Sequence, residues 1–388
     1  MIPILNNQEY HVRLLVTLLT MLIFSSSLFA APIHQNYQSI RAMGMGNAFT
    51  AMSDDENTLY FNPAGLAWLR EGHINLSLAN VAVSTGEDSF IDLYSDIKDA
   101  SDAEGTNKEV KMAETIEKLY GKNFYARFST LNFTWARKGW GIGLIPVDLT
   151  LNVAIHQQVG PSLVIDAMND TTITYGRGWK FRKVKGLSIG GALKTVYREY
   201  FGFNQPAIEL AQNSGDILDK DEAKEGLTLD ADIGVLYKVP YHFYKIRPVF
   251  SAVVRNLFDY GFSKSFNLIS DKDGKPKKLE RRFDLGSKIA FPEFFRFKPS
   301  LVMDIRDMGH SNWTLRKGIH MGAELKWKGW YILNGAVRAG LNQGRPTFGA
   351  SMKMLIFLLE YATFGREIGT KNLQKENRVH VVKLSMDF

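Results

Sequence analysis

The 388-residue chain contains no cysteine. Disulfide staples and thiol chemistry are thereby excluded, and stability must come from backbone pairing and burial. Beyond the first thirty residues no apolar run reaches 18 residues, which excludes a helical bundle in a bilayer. The eight histidines are scattered without metal-ligand spacing, and no Gly-x-Ser-x-Gly or phosphate loop is present. His320 and Glu324 share a strand face but sit about 13 Å apart at about 3.3 Å per residue, so lumen polarity explains them better than catalysis. No catalytic residue, metal or cofactor is therefore expected, and the chain reads as a non-enzyme. The charge excess is modest, +7 from 47 basic and 40 acidic residues, and the basic residues cluster beside turns. Solvated turns or contacts with anionic lipid headgroups account for them; a nucleic-acid partner is not expected.

What is present begins at the two ends. Arg13 precedes an apolar run from Leu14 to Phe24, followed by Ser25-Ser26-Ser27 and Leu28-Phe29-Ala30. That is the layout of an export signal over residues 1–30, cleaved after Ala30. At the other end Val382, Leu384, Met386 and Phe388 fall on one strand face, with Val381, Lys383, Ser385 and Asp387 on the other. One oily face and one mostly polar face, ending on an aromatic residue, suits the lipid-facing wall of a closed barrel.

The same alternation recurs along residues 72–388, for example Leu227-x-Leu229-x-Ala231-x-Ile233-x-Val235 and Ile319-x-Met321-x-Ala323-x-Leu325. About 14 such segments are expected, starting near 73, 123, 140, 171, 187, 227, 247, 282, 297, 319, 331, 345, 355 and 379. Charges recur on the polar face, among them Asp230, Asp232, Glu324 and Arg338, which points to a wet or ion-paired lumen. Alternate links are short and often basic, whereas most of the others are long: 84–122, 156–170, 204–226, 257–281, 307–317 and 365–377. Trp135, Trp140, Trp327 and Trp330 flank the short links, as an interfacial girdle would. The inserts at 85–122 and 204–226 carry apolar residues at helical spacing (Met112, Ile116 and Leu119 in the first), so short helices over the long-loop mouth are expected. The fold class is thus an all-β, antiparallel transmembrane barrel.

Two local features complete the pattern. Residues 31–71 carry small residues at Ala42, Gly44, Gly46, Ala48 and Ala51, then Asp54-Asp55 and Asn62-Pro63-Ala64. Small residues permit close backbone approach, and Asn-Pro starts a turn, so a compact plug leading into the first strand is expected. In the third strand the apolar set is even-numbered through Trp140, Ile142 and Leu144, but odd-numbered from Val147 to Ile155. The phase slips at Pro146, which has no N–H for the ladder, so a bulge or kink is expected there.

The Gly-x-Gly, Asp-Asp and Asn-Pro-Ala elements resemble the N-terminal hatch of the FadL-type outer-membrane transport superfamily. The stretches Gly340–Gly349, Tyr361–Glu367 and Asp232–Tyr237 look closer to its PorV/PorQ-like members. The resemblance implies a bacterial outer-membrane barrel of 14 strands. It further implies passive uptake of hydrophobic, long-chain fatty-acid-like molecules, with Pro146 as the candidate lateral gate. Leu384, Met386 and Phe388 resemble the signal read by the outer-membrane barrel assembly machinery. The alternative is a scaffold or shuttle subunit of a protein secretion system. A tunnel lined by aliphatic and aromatic residues favours the first reading, and a lumen of paired charges the second.

Overall fold

The computed structural model describes residues 33–388, except 53, 103–109, 112–113, 116, 158–160, 207–222, 242–245, 264–267, 269–273, 330–332 and 370–373. The strands are β1 (His73–Thr85), β2 (Asn123–Thr130), β3 (Asn132–Arg137), β4 (Trp140–Ile145), β5 (Val147–Gln157), β6 (Pro161–Lys180), β7 (Leu187–Pro206) and β8 (Lys224–Lys238). They continue with β9 (Arg247–Arg255), β10 (Arg282–Ala290), β11 (Phe297–Met308), β12 (Ile319–Lys328), β13 (Leu333–Asn342), β14 (Arg345–Met354), β15 (Phe357–Glu367) and β16 (Glu376–Asp387). Every pairing is antiparallel, and β16 pairs with β1, so the sheet closes on itself. Both β2 and β3 pair with β1, and both β4 and β5 pair with β6. Each of these couples is one staved strand with a break, at Leu131 and Pro146. Sixteen segments therefore make a closed barrel of 14 strands.

The burial pattern is inside out relative to a soluble protein. Ile173, Leu193, Ile233, Leu301, Val337 and Phe348 are exposed on the outer face, while Asp170, Lys194, Asp232, Asp304 and Arg338 are buried on the inner one. A closed belt of apolar side chains is stable where lipid replaces water, and closure leaves no unpaired sheet edge in that solvent. At the short-turn rim Trp135 and Trp140 meet edge to face at 4.9 Å, and exposed Trp179, Phe294 and Phe295 extend the aromatic ring. Trp330 lies outside the described residues.

The fourth strand differs from its expected bounds. Of the stretch expected to be a loop over 156–170, residues 156–157 and 161–170 are strand, because β5 and β6 remain paired up to Gln157 and Pro161. Its alternation is obscured by polar Asp166, Asn169 and Asp170 among the apolar residues, so no period-2 signal stands out. The first insert carries a helix at α3, numbered after two helices of the N-terminal segment: α1 (Ile40–Gly44), α2 (Thr58–Phe61) and α3 (Phe90–Ser101). Ser89 caps α3 by accepting from the Asp92 amide at 3.2 Å. In the expected helix near Glu109–Tyr120, residues 110–111, 114–115 and 117–118 are helical and Leu119 is buried; Met112 and Ile116 lie outside the described residues. The helix expected within 204–226 also falls mainly outside them, as does the export signal.

Candidate functional site

The N-terminal segment is buried almost throughout from Ser39 to Leu69, packed against inward-facing wall residues. Two docking points hold it. At the first, α1 ends in Gly44, and Gly46 follows with φ +66°, a conformation that favours glycine. A Cβ on Gly44 would come within 3.0 Å of the Gly349 Cα, and one on Gly349 within 2.8 Å of the Gly44 Cα. A Cβ on Gly340 would sit 2.6 Å from the Gly46 nitrogen. Segment and wall thus meet backbone to backbone, and both sides need glycine. The hydrogen bond from the Gly46 amide to Thr347 Oγ1 (3.0 Å) and the contact between Gly46 O and His320 Nδ1 (2.7 Å) complete this contact.

At the second point Asn62 caps the short 3-10 helix Pro63–Trp68 through Oδ1, which accepts from the Ala64 amide at 3.1 Å. Its Nδ2 donates to Thr50 O at 3.0 Å and to Val235 O of β8 at 3.2 Å. Pro63 and Ala64 lie against Gly178 and Gly190; a Cβ on Gly178 would meet Pro63 O at 2.7 Å. The segment's small residues were legible in the sequence. The matching glycines of β6, β7, β12, β13 and β14 were not, because only the fold brings them opposite.

Charge reinforces the first point. Arg41 donates to Glu324 through Nε (2.8 Å) and Nη2 (2.6 Å), and its Nη1 reaches Asp54 at 3.0 Å and Asp55 at 2.5 Å. Glu324 also accepts from Arg338 Nε at 2.9 Å, and Asp54 from Lys326 at 2.9 Å. Burial acts to raise the Asp54 pKa, but Arg41, Lys288 and Lys326 outweigh it and hold the carboxyl well below the usual range. Asp54 and Asp55 thus pair with an arginine of their own segment. Asp232 pairs with Lys194 at 2.6 Å and accepts from the Asn256 amide at 2.8 Å, while Asp230 accepts from the Phe258 amide at 3.0 Å. Arg198–Asp170 and Arg255–Asp284 add further pairs, so ion pairs run through an interior that also holds an apolar cluster of Met45, Phe49, Phe61 and Val302.

The opposite sector of the wall carries a defect. In β1 the buried inner residues are Asn75 and Ser77, then Asn80, Ala82 and Ser84. In β2–β3 they are Tyr125, Arg127 and Ser129, then Thr134 and Ala136; in β4–β5, Ile145, then Asp148 and Thr150. All three strands change phase at one level. Leu78, Leu131 and Pro146 are one extra residue each, in mutual register. The extra row is absorbed at both flanks, by a slip between Ser77 and Ala79 against β16 and a one-residue shift between β4 and β5 against β6. Side chains satisfy the interrupted backbone. Thr130 Oγ1 donates to Leu78 O, and Thr171 Oγ1 to Pro146 O, both at 2.7 Å; the Asp148 amide donates to Asn169 Oδ1 at 3.2 Å.

Inside this row, Arg127 pairs with Asp148 through Nε (2.7 Å) and Nη2 (2.5 Å) and donates to Gln35 O (3.1 Å) and Asn36 O (3.3 Å). The N-terminal segment is thereby tethered at the break. Neither Arg127 nor the Leu78–Leu131 row was singled out from sequence; the row was visible only at Pro146. Beside it His34, Tyr125, Arg127, Arg366 and Glu367 line a cavity of about 40 Å³, room for roughly two or three waters. The Arg366 guanidinium lies 3.7 Å from the Tyr125 ring centroid. At the C-terminus the Phe388 amide donates to Ile74 O at 2.8 Å, and Leu384 and Phe388 are exposed to the outside.

No protein-family profile and no curated protein matches the chain. Among solved structures it is similar to a Pseudomonas aeruginosa FadL homologue (9% identity, TM-score 0.47, covering 92% of this chain and 99% of that one). It is also similar to the toluene transporters TbuX of Ralstonia pickettii (9%, 0.45, 93% and 98%) and TodX of Pseudomonas putida (9%, 0.44, 92% and 99%). The first belongs to the family that the N-terminal motif resembles. The barrel fold itself stands on strand register and burial.

Proposed function

We propose that the chain is a bacterial outer-membrane channel for passive uptake of hydrophobic small molecules, with the N-terminal segment as its plug and a lateral exit at the break between β4 and β5. The row of extra residues at Leu78, Leu131 and Pro146 carries this reading. Parting strands in lipid exposes backbone groups at a cost of several kcal/mol each. Along this row the ladder is already interrupted, and hydroxyl bonds of about 1 kcal/mol each replace it. Release of Gln35 and Asn36 from Arg127 frees the inner side of the break. An apolar cargo then moves downhill into the bilayer, gaining roughly 25 cal/mol per Å² of surface removed from water.

Deleting Leu78, Leu131 and Pro146 together restores one continuous register. The expected outcome is a barrel that folds, read by its heat-modifiable gel mobility, yet loses most of its uptake of a radiolabelled long-chain fatty acid into cells. Unchanged uptake by the folded variant would sink the lateral route.

A second reading, a scaffold or shuttle subunit of a secretion system, is favoured by the ion-paired interior around Lys194–Asp232, Arg198–Asp170 and Arg255–Asp284. Mass spectrometry after mild detergent extraction separates the two: co-purified lipid supports the channel, a stoichiometric protein the scaffold. In both readings the C-terminal strand, with Leu384 and Phe388 facing lipid, is the segment offered to the barrel assembly machinery.

A further inference from the structure

Glu56, His73 and Asp387 lie far apart in the chain and meet at the short-turn rim. Each offers one ligand atom, and the three atoms lie within 4.8 Å of one another. His73 opens β1 and Asp387 ends β16, the two strands whose pairing closes the barrel. Their inward neighbours Asn75 and Ser385 are buried, and Asn75 Nδ2 donates to Ser385 Oγ at 3.3 Å. Glu56 comes from the N-terminal segment and is buried too. Its side chain accepts from Asn57 Nδ2 at 3.3 Å, and among the described residues no cation lies within ion-pairing distance of it. The Asp387 carboxylate is held in place by Lys353 at 2.7 Å.

We propose that Glu56, His73 and Asp387 form a divalent transition-metal site, of the Zn²⁺ class, that pins the N-terminal segment to the closing seam of the barrel. One imidazole nitrogen and two carboxylate oxygens are a mixed donor set suited to Zn²⁺, whereas Mg²⁺ and Ca²⁺ take oxygen ligands. Metal–ligand bonds of about 2.0–2.2 Å put tetrahedral donors about 3.3 Å apart, so the triad closes on an ion by a small side-chain movement. A water completes the shell, as the rim position allows. The ion supplies the positive charge that buried Glu56 otherwise lacks. Consistent with that lack, burial and then Asp55 push the Glu56 pKa up to about 8, with Lys383 opposing. The site is independent of whether the barrel transports or scaffolds.

The test uses the full mature barrel in detergent micelles, stripped with EDTA and titrated with Zn²⁺ against a chromophoric chelator. One Zn²⁺ per barrel is expected, unaffected by excess Mg²⁺. His73→Gln and Glu56→Gln should each weaken binding by about tenfold or more. Zn²⁺ should also shield His73 of the unmodified barrel from diethyl pyrocarbonate, read by mass spectrometry, which decides the matter if a variant does not fold. Absence of a stoichiometric ion, equal binding by both folded variants, or an unshielded His73 each overturns the site.

Discussion

The β11–β15 wall and the interrupted row of β1–β5 hold the same N-terminal segment by different physics. From β11 to β15 each pair keeps one uninterrupted register. There the segment lies glycine against glycine, with Arg41 gripping Glu324. Along the extra residue row of β1–β5 the ladder is interrupted, and at that level the segment is held through Arg127 to two backbone carbonyls. Close backbone contact has no slack, whereas a side-chain tether can let go without disturbing the wall. On the proposed reading, one sector is an anchor and the other a release point.

The sharpest way to break this contrast is Arg41→Ala. It leaves Glu324, Asp54 and Asp55 together without their shared cation, and a loss of about 3–5 kcal/mol is expected in urea unfolding of the detergent-solubilised barrel. A loss under about 1 kcal/mol would show that Arg338 and Lys326 suffice and that the anchor lies elsewhere. Next in size is Gly46→Ala, where the new Cβ would run into the carbonyls of Leu341 and Met321 at a positive φ. About 1–3 kcal/mol is expected, with residues 33–69 becoming open to limited proteolysis while the strands stay protected. Smallest is Pro146→Ala in the interrupted sector, expected to change stability by less than about 1 kcal/mol because the Thr171 bond to the residue 146 carbonyl is kept and only the ring's backbone restriction is lost. Equal costs at Gly46 and Pro146 would erase the distinction between the sectors.

Much of this was readable along the chain because a barrel strand writes its two environments alternately. Leu229, Ile233 and Val235 face lipid and Asp230 and Asp232 the lumen, and the period-2 pattern marks them without any partner in view. The slip at Pro146 was legible for the same reason. Its counterparts at Leu78 and Leu131 were not, since Leu78 sits in a run of small and apolar residues where either phase looks acceptable. The start of β6 was hidden by polar residues on both faces. The triad of Glu56, His73 and Asp387 has no spacing signal at all.

By itself the sequence determined the membrane-facing wall, the approximate strand count and the need for close packing at Gly44, Gly46 and Asn62-Pro63-Ala64, because these follow from local periodicity and side-chain size. Only the tertiary structure decided which wall glycines receive that segment, which acids share Arg41 and where three extra residues align. Those depend on register between strands distant in the chain, and barrel closure, not any local preference, sets that register.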